Sequence, residues 1–178
     1  MPTTTKAERA ARKLLDDFGI SAPPVPVEEI ARQLGARLSF EQFGPDVSGV
    51  LYRDATNAVI GLNATHAKTR QRFTIAHEIG HLRLHEGRPM FVDRSVRVDR
   101  RDANAALGID PEEIDANNFA AALLMPQEMI LAAVTQMSPR QGAAGTMEMI
   151  RRLASRFDVS TQAMEYRLAN LGLVVPPQ

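Results

Sequence analysis

The sequence predicts an α+β fold: a small antiparallel sheet, then a histidine-bearing helix, then further helices that include a C-terminal pair. Three observations carry this. Apolar residues recur at helical spacing near both ends of the chain. Two-residue alternation is confined to three short runs between residues 36 and 62, separated by turn formers. Between them and the C-terminal helices, residues 68–85 have a helical pattern and contain His77-Glu78-Ile79-Gly80-His81.

In residues 5–18, Ala7, Ala10, Ala11, Leu14, Leu15 and Phe18 mark one helical face, and Gly19 stops the helix. Pro23, Pro24 and Pro26 form an extended linker. Pro26 also opens a second helix over 27–34, closed by Gly35. Leu38 and Phe40 alternate with polar residues in 36–41, the first strand. Residues 49–53 and 58–62 are two more, with 54–57 as the turn. In the helix over 68–85, Ile75, Ile79 and Leu82 form an apolar stripe distinct from the histidine face. Gly80 inside that helix costs roughly 1 kcal/mol relative to Ala, and close approach of another backbone is the expected compensation.

Residues 86–109 read as irregular and charged, with five Arg against three Asp between 88 and 102. This is a solvated loop or a mobile lid. Asp110-Pro111-Glu112-Glu113 is a helix start, with Pro at the first position and Asp110 and Glu113 spaced as a capping box. That helix carries Ile114, Phe119 and Leu123 and stops near Met125-Pro126. Helices over 126–136, 147–157 and 161–169 follow, with a Pro/Gly-containing break at 138–145. The expected division is a domain of residues 1–145 and a helix-turn-helix-like appendage of 146–178.

The 178 residues suffice for one domain with a small appendage, and the 44% hydrophobic content is ordinary for a globular chain. Lys plus Arg and Asp plus Glu are 21 each, so no global charge pulls the chain toward nucleic acid or anionic membrane. There is no cysteine, which excludes disulfides and thiolate metal sites. The N-terminal residues are polar and charged without a signal-like apolar run. No stretch reads as the roughly 18 consecutive apolar residues of a membrane span. A cytoplasmic protein with no membrane partner is expected.

Two histidines at i and i+4 share one helical face with Cβ atoms about 5–6 Å apart, suited to converging on one metal ion. Glu78 follows the first of them and can reach a water on that metal. H-E-x-x-H in a helix is the pattern of a zinc hydrolase, most often a peptidase. Such a site takes three protein ligands and leaves one position open. His85 is not the third ligand, because a further four-residue step climbs about 6 Å along the axis. It reads as an outer partner or a helix-end residue. The extended H-E-x-x-H-x-x-G-x-x-H pattern is excluded by Leu84 and Gly87. A later carboxylate remains: Glu112, Glu113 or Asp115. Glu113 is preferred, because Asn117 lies four residues on and could hydrogen-bond a ligand histidine. Its competing role is the capping box with Asp110. A His₂Glu site also accepts manganese and other divalent ions.

Several separated segments resemble one family in the right order: Arg70-Gln71-Arg72-Phe73-Thr74-Ile75-Ala76-His77-Glu78-Ile79-Gly80-His81, Ala116-Asn117-Asn118-Phe119-Ala120-Ala121-Ala122-Leu123-Leu124-Met125-Pro126, Pro26-Val27-Glu28-Glu29-Ile30-Ala31 and Val47-Ser48-Gly49-Val50. They are similar to the ImmA/IrrE metallopeptidases over most of residues 8–136. The resemblance implies a thermolysin-like, gluzincin-type zinc-peptidase fold. It also implies zinc held by His77, His81 and Glu113, with Glu78 as catalytic base. Where the thermolysin-like pattern has Asp, this chain has Asn117, which orients without adding charge. The resemblance further implies that the substrate is a helix-turn-helix repressor, whose cleavage turns on stress-response or mobile-element genes.

A second donor for the developing oxyanion is wanted, and Tyr166, Arg70 and His85 are the candidates. An extended substrate is expected to add to a sheet edge formed by residues 48–53. The competing reading is a non-proteolytic metal-binding regulator acting through residues 153–168, with Gln162, Glu165 and Arg167 facing DNA or a repressor partner. Arg151, Arg152, Arg156 and Arg167 stand against Glu148, Asp158 and Glu165 there. That is thin for phosphate binding, so packing on the peptidase core is preferred over direct DNA contact.

Overall fold

The structure is a computed structural model that describes residues 5–85, 89–94, 110–137 and 143–175. Among them are seven helices and four strands, in the order α1 (Lys6–Asp17), α2 (Val27–Gln33), β1 (Ala36–Glu41), β2 (Val47–Arg53), β3 (Ala58–Asn63), α3 (Lys68–Leu84), β4 (Met90–Arg94), α4 (Pro111–Leu124), α5 (Gln127–Thr135), α6 (Ala143–Phe157) and α7 (Thr161–Asn170).

Helix α1 forms because Thr5 and Glu8 make a reciprocal capping box: the Thr5 hydroxyl accepts from the Glu8 N–H at 3.1 Å, and a Glu8 carboxylate oxygen accepts from the Thr5 N–H at 3.1 Å. Ala7, Ala11, Leu14 and Leu15 are its buried face. Gly19 and Gly35, with φ of 65° and 82°, end the first two helical segments in the left-handed region. At the β2–β3 turn, Asp54 Oδ1 accepts from the backbone N–H groups of Thr56 and Asn57, both at 2.8 Å.

The sheet runs β1-β3-β2-β4. β2 and β3 are an antiparallel hairpin, but β1 pairs parallel with β3. The sheet is therefore mixed, not the antiparallel one expected. Alternation identifies a strand without naming its neighbour, and β1 lies outside β3, not beside β2. The second correction is β4, which pairs antiparallel with β2 inside the segment expected to be irregular. Residues 86–88 and 95–109, the rest of the candidate lid, lie outside the described residues. Leu38, Ile60, Leu51 and Phe91 form one cross-strand row across all four strands. Ile60, Leu51 and Phe91 of this row are buried.

Helix α3 packs between this sheet and α4, and every residue from Thr74 to His81 is buried. Gly80 has the role expected of it. A Cβ there would lie 3.1 Å from Ala116 Cα and 3.2 Å from Phe119 Cδ1, so it lets α4 approach. In Gly80→Ala, helix propensity favours the variant by about 1 kcal/mol, while overpacking against backbone costs about 1–3 kcal/mol. The expected net is a loss of about 1 kcal/mol, read as a Tm lower by about 2–4 °C. A raised Tm would mean that α3 and α4 separate freely.

One buried cluster joins Leu14 of α1, Leu123 of α4, Leu153 and Phe157 of α6, and Met164 and Leu168 of α7. Helix α6 starts at Ala143, earlier than expected, so the end of the 138–145 break is helical; residues 138–142 lie outside the described residues. Arg167 corrects the groove-facing expectation. It is 7% exposed, its Nε donates to the Met125 carbonyl at 3.1 Å, and its Nη1 pairs with Glu8 at 3.1 Å. Arg72 similarly ties α3 to distant chain, donating to the carbonyls of Val25 and Asp158. Residues 111–135 contain an 18-residue window apolar enough for a membrane span, contrary to the sequence expectation. They form two helices interrupted at Met125-Pro126, and Phe119 and Leu123 are fully buried, as in the core helix of a globular domain.

Candidate metal centre

Because α3 is regular through its motif, His77 and His81 stand one turn apart with ring centroids 4.7 Å from each other. Their Nε2 atoms are 3.0 Å apart. From the first turn of α4, Glu113 places Oε2 3.3 Å from His77 Nε2 and Oε1 3.3 Å from His81 Nε2. The edges of a tetrahedron with ligand bonds of about 2.0–2.1 Å are roughly 3.3–3.4 Å; the two 3.3 Å spacings, one to each carboxylate oxygen, match that edge, and the 3.0 Å between the imidazoles is slightly shorter.

The groups behind the imidazoles agree with that. Asn117 Oδ1 lies 3.1 Å from His77 Nδ1. An amide oxygen only accepts, so the His77 Nδ1–H is the donor in this contact. His81 Nδ1 is 3.0 Å from His85 Nδ1, the equivalent contact on the second imidazole. Burial, then the neighbouring His81, pushes the His85 imidazole below its ordinary pKa. Hydrogen bonds from His77 and then His81 hold the Glu113 carboxyl well below the usual carboxylate range, against its desolvation. Two imidazole Nε2 atoms and a carboxylate converging at these distances need positive charge between them, and a divalent metal ion is the species this donor set suits.

The competing role for Glu113 is not realised. Asp110 caps α4 by accepting from the Glu112 N–H at 3.0 Å, and the expected capping box with the Glu113 side chain does not form. Among the described residues, the grouped metal-type ligands are His77, His81 and Glu113, without Glu112 or Asp115.

Glu78 is fully buried and faces β2. A Cβ on Gly49 would lie 3.3 Å from Glu78 Oε1 and only 2.4 Å from Thr74 Cγ2. The β2–β4 register is irregular between Val47 and Gly49, and such bulges re-aim chain next to functional sites. Arg70 Nη2 donates to Ser48 Oγ at 3.0 Å on that same stretch. Of the other oxyanion candidates, His85 turns its Nδ1 to His81, and Tyr166 lies on α7. The expected edge at residues 48–53 is interior, because β2 is paired on both sides; the outer strand on that side is β4.

Sequence reasoning missed two residues at the centre. Phe91 stacks on His81, with ring centroids 4.1 Å apart and planes 26° from parallel, and Arg53 lies over the Phe91 ring. The run Met90-Phe91-Val92 is a short-strand signal, but nothing local says which ring it meets.

Removing an outer partner typically weakens metal binding 10–100-fold. Asn117→Ala, at an exposed position, is expected to raise the metal Kd by about tenfold while the fold is kept. Chelator competition reads this directly, and an unchanged Kd would remove the amide from any orienting role.

An α+β domain whose buried helix offers two histidines and an intervening glutamate, completed by a carboxylate from a second helix, has the plan of a metallopeptidase. A family profile described as the IrrE N-terminal-like domain, of the M78 peptidases, matches residues 31–169, and the chain belongs to this ImmA/IrrE family. It is 32% identical over 171 residues to the radiation response metalloprotease IrrE of Deinococcus deserti, covering 94% of this chain and 56% of that protein. It is 33% identical over 116 residues to the protein of the same description from Deinococcus radiodurans, covering 65% of this chain and 32% of that one. The chain thus spans about half the length of the first relative and a third of the second. A likeness to a Mycobacterium tuberculosis transcriptional regulator, with TM-score 0.57 and 19% identity over 92% of this chain and 46% of that one, shows a shared fold.

Proposed function

We propose that this chain is a zinc-dependent endopeptidase of thermolysin-like, gluzincin-type plan that makes a specific cut in a helix-turn-helix repressor. The cut would derepress stress-response or mobile-element genes in the cytoplasm. The observation that carries the reading is the convergence of His77 and His81, on the buried helix that also holds Glu78, with Glu113 from α4. Family membership and the names of the Deinococcus relatives support it.

His77, His81 and Glu113 would hold the metal, which when bound supplies Lewis acidity toward a water and a peptide carbonyl. Glu78 accepts the proton of the attacking water as the new C–O bond forms, then delivers it to the leaving amine as the C–N bond breaks. Shielded from solvent, the Glu78 carboxylate keeps that proton for the amine. Asn117 and His85 keep the two imidazoles oriented. The substrate would lie extended along the outer edge of β4, adding a strand to the sheet.

The test is incubation of the zinc-loaded chain with each helix-turn-helix repressor of its own genome. One discrete cut by mass spectrometry, lost with chelator and restored by zinc, is expected. Every repressor intact at every metal loading would overturn the reading.

A further inference from the structure

His77 is oriented by an amide, but His81 is held by a different device, a closed ring of contacts spanning β2, β4 and α3. Phe91 of β4 lies face-on to the His81 imidazole. The Arg53 guanidinium of β2 sits 5.8 Å from the Phe91 ring centre. Arg53 Nη2 also donates to the backbone carbonyl of His85, the residue that ends α3. His85 Nδ1 returns to His81 Nδ1 at 3.0 Å. The histidine and both rings around it are buried: His81 is 1% exposed, Phe91 5% and His85 8%.

We infer that Phe91, backed by Arg53, is a positioning residue for the metal centre, fixing the plane of the His81 ring so that Nε2 points at the His77–Glu113 side. Two constraints define that plane. The His85 contact fixes the direction of Nδ1 but leaves the ring free to tilt about it. The Phe91 face removes the tilt, because offset-stacked rings resist rotation of either plane. Arg53 holds Phe91 in turn, by cation–π attraction from one side and by anchoring its own guanidinium on the end of the metal helix. The sheet thereby orients a ligand ring, although none of the described strand residues belongs to the ligand group. This rests on the reading of His77, His81 and Glu113 as ligands.

The experiment compares wild type, Phe91→Leu, Phe91→Tyr and Arg53→Met, with chelator competition for the zinc Kd and the visible spectrum of the cobalt(II)-loaded protein as readouts. Leu keeps the burial and loses the flat face; Tyr keeps the face. The expected results are a zinc Kd raised about tenfold in Phe91→Leu, with a shifted cobalt band. Phe91→Tyr should match wild type on both, and Arg53→Met should shift both in the same direction as Leu by a smaller amount. Arg53→Met also decides the matter if Phe91→Leu fails to fold. Wild-type Kd and spectrum in both Phe91→Leu and Arg53→Met would overturn the inference while leaving the metal centre intact. A folded wild type that takes up neither zinc nor cobalt would overturn the metal centre itself, and this inference with it.

Discussion

Replacing Glu78 by Gln is expected to leave metal bound and to lower kcat by about a hundredfold to ten-thousandfold, the usual worth of a positioned general base. Gln has nearly the shape of Glu, which matters because Glu78 is fully buried and Gly49 leaves no spare volume beside it. A longer or branched replacement would push on β2, and any loss of activity would then report distortion. Gln removes only the ability to accept a proton. Its fold should hold as well as that of wild type, because a charge confined in low dielectric is replaced by a neutral amide. Kinetics on a cleavable repressor, with metal content measured on the same samples, separate the cases. Low kcat with full metal supports the base. Full kcat would assign proton transfer elsewhere, and loss of metal would show that Glu78 helps assemble the site.

The motif helix, its two histidines and the close approach at Gly80 were legible because each is written locally, in a spacing of four or in a glycine where a helix would otherwise take alanine. Glu113 was narrower to read. Three carboxylates stand within four residues, and spacing alone left the capping box as a rival. The rivalry ends in three dimensions because Asp110 caps the Glu112 N–H instead, freeing the Glu113 carboxylate to face the imidazoles. Arg167 looked exposed because an arginine near the end of an amphipathic helix usually is. Its partners, Glu8 and the Met125 carbonyl, lie 159 and 42 residues away and leave no local trace. The parallel pairing of β1 and the position of Phe91 against His81 share that character. Strand propensity is a property of a segment, whereas neighbours are a property of the closed sheet.

Glu113→Ala should abolish tight metal binding, exceeding the roughly 100-fold upper end for loss of an outer partner, because it removes one of three ligands. Little packing goes with it, since the Glu113 side chain is 37% exposed. With zinc at 100 times its Kd, wild type gains about 2.7 kcal/mol of stability, which is about 5–11 °C in Tm for a chain of this size. The variant should show no zinc-dependent rise. An equal rise in Glu113→Ala would move the third ligand to another residue. The acid limit of binding follows from the same side chain. Its carboxyl is depressed by His77 and His81, so its contribution is present above the ordinary carboxylate range and lost only as pH falls through the depressed value. Glu113 is therefore already ionised when the solution is mildly acidic. Ligand groups must be deprotonated to bind metal, so any fall in zinc affinity from neutral to mildly acidic pH should not involve the Glu113 carboxyl. Affinity measured against pH in wild type and Glu113→Gln should then show the same slope on that limb at different absolute strength. A slope lower by one proton in Glu113→Gln would mean that the Glu113 carboxyl itself titrates there.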